Sequence, residues 1–348
     1  MNHLSLTFPL DVIICDRFVL VQSVSPQTLS NYAAGLIKFM QFCDDFDIPE
    51  TARMPAAEPF LCIFITAHGA GKVGKGTLTS WLTGLKLWHT INGAPWLGKA
   101  HLSRAVKGAT SFAPPSSTRP PRLPVMIDHL RTMKSNIQLS NPFDAAVWAI
   151  ACIAFWSQCR LIELCVDGLF NPTQHAPKST PLKSRKTSTG VEYGGFFSPS
   201  TKTKRTGEWI CWTDSRCTCS TLTAFANHRK QNFHTPGHAP LFAYAMPDGS
   251  WAPMKWSSFM DRCNEAWHSP FSMPMTGHSF RLGGTTHLLL LSVDPFIVMV
   301  QGRWKSNALL TYWRNCEQVL PLFIGTALQS PHLLLSTMRI FKRKMLTH

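Results

Sequence analysis

Thr276-Gly277-His278-Ser279-Phe280-Arg281, then Gly302-Arg303-Trp304, then Tyr312 bring an imidazole, a guanidinium, an indole and a phenol into one stretch of the chain. That set suits phosphodiester chemistry. A DNA strand is cut or joined without metal or nucleotide when a nucleophile attacks phosphorus, cations hold the non-bridging oxygens and an acid protonates the departing 5′ oxygen. A tyrosine phenolate fits the first role because its phosphodiester conserves the energy of the bond broken. His278 and Arg281 stand three residues apart, close to one helical turn, so both are expected on one face toward one phosphate. Leu282-Gly283-Gly284-Thr285 follows, small residues that permit close packing.

Two upstream segments could complete the set. Ser157-Gln158-Cys159-Arg160-Leu161-Ile162-Glu163-Leu164 closes residues 144–165, which are apolar on nearly every face, as a buried central helix would be. An arginine there needs a stronger reason than an exposed i,i+3 pair with Glu163, worth about 0.3 kcal/mol. Ser200-Thr201-Lys202-Thr203-Lys204-Arg205 lies in a predicted turn between β-like stretches at 190–198 and 208–213. A lysine in that turn could deliver a proton to a leaving oxygen.

Together these residues resemble the active-site motifs of the tyrosine recombinases, the phage-integrase-like family that breaks and rejoins DNA. The resemblance implies Arg160, Lys202, His278, Arg281, Trp304 and Tyr312 as the catalytic set, with Tyr312 the nucleophile and Glu163 a supporting acid. The family carries its general acid as a lysine on a β-hairpin. Lys202 matches the Ser/Thr-Lys-Thr pattern of the eukaryotic mobile-element branch, and Lys204 is its competitor. Trp304 stands where the family has a histidine or tryptophan whose ring N–H donates to a phosphate oxygen. The ending from Gly302-Arg303-Trp304 to Tyr312-Trp313-Arg314 is similar to recombinases of fungal and other eukaryotic transposable elements.

What this resemblance implies is site-specific recombination or integration through a 3′-phosphotyrosyl intermediate, with no metal, ATP or other cofactor. The implied partner is double-stranded DNA, with no small-molecule substrate, and the implied assembly is a homo-tetramer on two duplexes that exchanges a C-terminal helix. Residues 316–328 are apolar and could be that helix, or could pack in their own core. Two other readings stand beside it: a domesticated DNA-binding protein that has lost catalysis, and a type IB topoisomerase.

The elements that must position these groups fall into two parts. With 348 residues, 45% of them hydrophobic, the chain can bury two cores. The proline-rich residues 113–123 read as a stiff linker. It separates a helical domain at 1–112 from a catalytic domain at 124–348. The expected fold is mainly α with a small β-sheet in the second domain: a helical core-binding (SAM-like) bundle, then an integrase-type catalytic domain.

In the first part, Ser25-Pro26 caps a helix ending near Asp45, and an apolar segment spans residues 60–67. A helix capped by Thr77 and a shorter one at 102–111 follow. A further helix is expected at 218–233 in the second part. The basic residues Lys72, Lys75, Lys86, Lys99, Arg104 and Lys107 have no acidic residue among them and form the expected DNA surface, joined by Lys204 and Arg205 from the hairpin turn.

The net charge of +15 points the same way, to a polyanionic partner. Eleven cysteines without a repeated framework suit a reducing compartment, and the implied address is the nucleus. Cys211, Cys217, Cys219 and His228 lack the spacing of common zinc knuckles, and no metal is expected. The run 12–21 is a poor signal peptide and residues 288–291 are too short to cross a bilayer, so no membrane is expected.

Overall fold

A computed structural model describes residues 8–117, 122–202, 204–214, 218–267, 275–304 and 322. The chain divides into two compact units, Met1–Pro120 and Pro121–His348. Among the described residues no helix is long and apolar enough to cross a membrane.

The first unit holds six helices among the described residues: α1 (Leu10–Val21), α2 (Pro26–Asp45), α3 (Glu50–Arg53), α4 (Glu58–Phe64), α5 (Lys75–Ile91) and α6 (Ala100–Ser111). Ser25 caps α2 by accepting the Thr28 N–H at 3.2 Å, with Pro26 at the first helical position. A π-helical turn, Ile65–Gly69, extends α4. Helix α5 starts at Lys75 after an extended Gly74, two residues before the expected Thr77 cap, because Gly74 O already accepts the Thr77 N–H. Phe39, Phe42, Phe64, Leu78 and Leu85 fill the core. Glu58 at the start of α4 accepts the Lys99 and Leu102 N–H groups at 2.6 and 3.0 Å, capping α6 from a distance in sequence.

The second unit is built around α8 (Pro142–Trp156), preceded by α7 (Ile127–Ser135). Asn141 caps α8 through Phe143 and Asp144, and every residue from Asp144 to Phe155 is buried. A three-stranded antiparallel meander follows: β1 (Leu182–Lys186), β2 (Glu192–Ser198) and β3 (Glu208–Thr213), in that order. Next come α9 (Thr221–Gln231), the short pair β4 (Tyr244–Ala245) and β5 (Trp251–Ala252), α10 (Trp256–Ala266), α11 (Gly277–Leu290) and α12 (Pro295–Gln301). Asp144 holds Arg262 of α10 in a two-pronged ion pair at 2.7 and 2.9 Å, which fixes α10 on α8. Ser220 caps α9, which starts three residues later than expected.

Helix α8 is shorter than its apolar run. The sequence predicts helix through residue 165, but the helix ends at Trp156 and Gln158 takes a left-handed φ of 52°. The chain then extends at Arg160 and closes a 3-10 turn, Leu161–Glu163. The apolar residues beyond Trp156 are buried because they line the core from a loop, so their pattern mimics continued helix.

Gly283 and Gly284 let α11 lie directly on this core. A Cβ on Gly283 would sit 1.7 Å from Val125 O, and one on Gly284 1.9 Å from Phe155 O. Both obstacles are backbone, so neither can swing aside. Gly283→Ala is expected to destabilise the second unit by about 3 kcal/mol, the upper end for overpacking. Gly108→Ala on α6 is the control, since nothing lies within 4 Å of its added methyl. Thermal melts check this; equal melting temperatures for the two variants would contradict the close approach.

Candidate active site

Helix α11 opens at Gly277, and Thr276 donates its N–H to Ser279 Oγ at 3.1 Å while Ser279 N–H returns to Thr276 O at 2.8 Å. This capped end puts His278 at the second helical position, where the helix dipole favours a neutral imidazole. Val125 donates its N–H to Ser279 O at 2.9 Å, so the extended segment holding Arg122 runs along the same helix end.

Among the described residues four cations act electrostatically on His278. Burial is the largest cause lowering its pKa, and the charges of Arg122, Arg281, Arg160 and Lys202 add to it, bringing the value to about 4. The imidazole is therefore neutral at neutral pH. Against an unfolded value of about 6.5, the unfolded chain binds this proton first. The stability it contributes is present above the unfolded value and is lost as pH falls from there toward about 4. NMR titration of the His278 ring in the free protein is expected to give a midpoint near that value, moving up when a duplex brings phosphate charge beside it. A midpoint at the unfolded value would deny the cationic surroundings.

Arg160 follows the left-handed Gln158 in extended backbone, with Glu163 folded back on it. Glu163 Oε2 accepts the Arg160 N–H at 3.1 Å and Oε1 accepts Nη1 at 3.2 Å. The Glu163 side chain is 2% exposed and Arg160's is 23% exposed, so the arginine is held by the acid and still reaches solvent.

Arg281 lies deeper than the one-face expectation places it. It is 1% exposed, with Nη1 donating to Gln158 O and Nη2 to Gly302 O, both at 2.6 Å. Its guanidinium stacks 4.2 Å from the centre of the Trp304 ring. The residue turns toward the end of α8 because the glycine face of α11 is pressed there. It can therefore act on an approaching phosphate as charge from beneath while fixing two loops. Trp304, expected as an outward donor, is 9% exposed and packs with Leu289 and Val298 under Arg281.

Lys202 is exposed in the turn between β2 and β3. Thr201 N–H donates to Lys204 O at 2.9 Å and Lys204 N–H to Thr201 Oγ1 at 3.1 Å, closing the turn. Lys204 and Arg205 are exposed beside it. Tyr312 lies outside the described residues, as do residues 316–321 and 323–328 of the apolar segment. Of the chain's four tyrosines, Tyr244 packs edge-on against Phe143 and Tyr193 pairs with Arg185 and Thr213 in the meander, while Tyr32 sits on α2 against α5.

In the first unit Lys72, Lys75, Lys86, Arg104 and Lys107 are all exposed, Lys72 at the turn before α5 and the others on α5 and α6. A groove of about 320 Å³ between these two helices is lined by Thr79, Thr83, Lys86, Trp96, Lys99 and Ser103, among others. No acid interrupts the sequence from Glu58 to Asp128, and Glu58 is engaged in capping α6. His228, beyond the cysteine group, bonds Leu241 O and Asn232, and burial lowers its pKa to about 4.

Three residues near the site were not singled out by sequence reasoning. Arg122 falls in the proline-rich stretch read as linker. Arg303 was legible only as part of a motif, and Glu208 only as the start of a strand. Arg303 donates Nη2 to Glu163 Oε2 at 2.5 Å, and its Nη1 lies 3.8 Å from Glu208 Oε1. Among the described residues there is no cluster of three or more metal-ligating side chains.

No protein-family model and no curated protein matches the chain. Solved structures do. The XerH site-specific recombinase bound to palindromic difH substrate, in a post-cleavage complex, is similar at a TM-score of 0.54 and 13% identity, over 86% of this chain and 78% of that one. The Tn1549 transposon integrase in complex with transposon right end DNA is similar at 0.51 and 13% identity, over 87% of this chain and 95% of that one. XerH in its pre-cleavage complex gives 0.50 and 13%, over 84% and 79%. The chain thus shares its overall fold with solved structures of two separate proteins, a site-specific recombinase and a transposon integrase, across most of its length.

Proposed function

We propose that this protein is a DNA strand transferase that breaks and rejoins DNA through a 3′-phosphotyrosyl intermediate. The observation that carries the reading is that Arg281, three residues after His278 on α11, bonds Gln158 O beside Arg160, and that the charges of Arg160, Lys202 and Arg281, from three separate parts of the sequence, all act on His278. Such a cluster repels itself, and a phosphodiester is a partner that relieves it. The structural neighbours are recombinases and an integrase in complex with DNA.

In this reading the Tyr312 phenol oxygen attacks phosphorus, the bond to the 5′ oxygen breaks, and the 3′ phosphate is left on the tyrosine. Neutral His278 takes the phenolic proton. Lys202 gives one to the departing oxygen, while Arg160 and Arg281 offset the charge that grows on the non-bridging oxygens. Lys202 is preferred to Lys204 because its charge is among those acting on His278. Protein groups fill every role, so the mechanism calls for no metal or nucleotide. The basic face of the first unit binds duplex DNA as a core-binding domain. Gly302-Arg303-Trp304 and Tyr312-Trp313-Arg314 support a eukaryotic mobile-element origin, with work in the nucleus as a homo-tetramer on DNA.

A second reading, a silent DNA-binding derivative, is favoured by one observation: the Nη1 and Nη2 atoms of Arg281 are already bonded to carbonyls. A duplex nicked so that the cleaved fragment diffuses away separates the two. The strand transferase accumulates an adduct that survives denaturing gels, and the silent derivative shifts the DNA without one.

A further inference from the structure

Arg303 occupies a backbone position that favours glycine. Helix α12 ends with Arg303 N–H donating to Val300 O and Trp304 N–H to Met299 O, the paired bonds of a Schellman cap, and Arg303 takes the left-handed φ of 59°. Glycine adopts that conformation freely, whereas a side chain there is strained. An arginine that forgoes the better cap is expected to be used for its guanidinium.

Its guanidinium sits between two acids. Glu163 bridges it to Arg160, with Oε1 3.2 Å from Arg160 Nη1 and Oε2 2.5 Å from Arg303 Nη2. On the other side Arg303 Nη1 lies 3.8 Å from Glu208 Oε1, and that same oxygen accepts the Thr201 hydroxyl at 2.6 Å. Thr201 in turn closes the turn that presents Lys202. A continuous chain of contacts, Arg160 to Glu163 to Arg303 to Glu208 to Thr201, therefore joins the loop of one active-site cation to the turn of another. The Arg303 and Glu163 side chains are 12% and 2% exposed, so water screens the inner part of this chain poorly. Gln301 fixes the base from which Arg303 projects, donating Nε2 to Cys211 O on β3 at 2.8 Å and to Trp156 O at the end of α8 at 3.3 Å.

We propose that Arg303 is a positioning residue: through Glu163 and Glu208 it sets the Arg160 loop and the Lys202 turn relative to each other. Its function in catalysis rests on the strand-transferase reading, but the mechanical coupling does not. A plain structural ion pair would hold Arg303 to Glu163 and leave the turn beyond Glu208 indifferent to its loss.

Arg303→Gly is the informative variant because it keeps or improves the cap and deletes only the guanidinium. Amide hydrogen exchange at Thr201 and Lys204, whose N–H groups close the turn, is expected to accelerate at least about tenfold while the Val298 and Gly302 amides of α12 stay protected. Adduct formation on a nicked duplex is expected to fall about 100-fold, the scale of a small misplacement of reacting groups. A 5′-bridging sulfur in the substrate, which leaves without an acid, should recover at least tenfold of that, on the order of a general acid's lower contribution. Arg303→Lys, which keeps the charge, should restore part of the rate. Unchanged exchange at Thr201 and Lys204 in a folded Arg303→Gly protein overturns the proposal. Should that variant not fold, Glu208→Gln at the outer edge of the network must loosen the same two amides, and their staying protected overturns it equally. A wild-type protein that forms no adduct sinks the strand-transferase reading, and the exchange data still decide the coupling.

Discussion

Arg281→Lys is expected to slow adduct formation on a nicked duplex by about 100- to 1,000-fold, the loss seen when one preorganised oxyanion donor is removed. The charge survives this substitution and the planar fork does not. In the wild-type chain that fork holds Gln158 O and Gly302 O, and so ties the loop carrying Arg160 to the segment carrying Arg303 and Trp304. An ammonium cannot reach both carbonyls in that geometry. One carbonyl left unsatisfied in the core costs about 1–3 kcal/mol of stability, so the melting temperature should fall along with the rate. Rates measured at saturating protein and below the melting transition separate the two effects. A lysine variant that cleaves like wild type would show that positive charge alone suffices and that the carbonyl clamp is incidental.

Lys202→Ala is expected to lose about 100- to 10,000-fold on an ordinary duplex, the range of general acid catalysis, and to regain most of that loss on a duplex with a 5′-bridging sulfur. An alkoxide is a poor leaving group without a proton. A thiolate, whose conjugate acid has a pKa of about 8.5, departs unaided. The contrast between substrates reports the acid specifically, because misfolding or weak binding would depress both rates alike. Lys204→Ala should lower binding and leave the ratio between substrates unchanged. If the sulfur substrate rescues Lys204→Ala and not Lys202→Ala, the acid is Lys204.

Part of this arrangement is legible in the sequence. His278 and Arg281 are tied by one turn of helix, and the Gly283-Gly284 pair next to them announced the close packing that α11 makes with the Val125 and Phe155 backbone. Short-range rules also place the start of α2 at Ser25-Pro26 and the bounds of β3 at Glu208–Thr213. What stayed hidden depends on contacts distant in sequence. Helix α8 stops at Trp156 with no proline or glycine to stop it, because Gln158 turns left-handed and offers its carbonyl to Arg281, which is remote in sequence. Strand β1 reads Leu-Lys-Ser-Arg-Lys, with no apolar alternation, since it is the polar edge of the meander. Arg122 was concealed by the prolines around it, although the Val125 to Ser279 hydrogen bond sets that segment along α11. The Arg303 network was invisible for a related reason: sequence spacing cannot show that Glu163 and Glu208 flank one guanidinium.

Peptide mapping of the adduct tests most directly whether the cationic cluster serves one phosphotyrosyl bond. Wild-type protein incubated with a nicked duplex, denatured, and digested with protease and nuclease should yield a single peptide carrying a nucleotide on Tyr312. Tyr312→Phe should bind the duplex with unchanged affinity and yield none. A nucleotide found on Tyr32, Tyr193 or Tyr244, or an adduct that persists in Tyr312→Phe at the wild-type rate, would contradict the account.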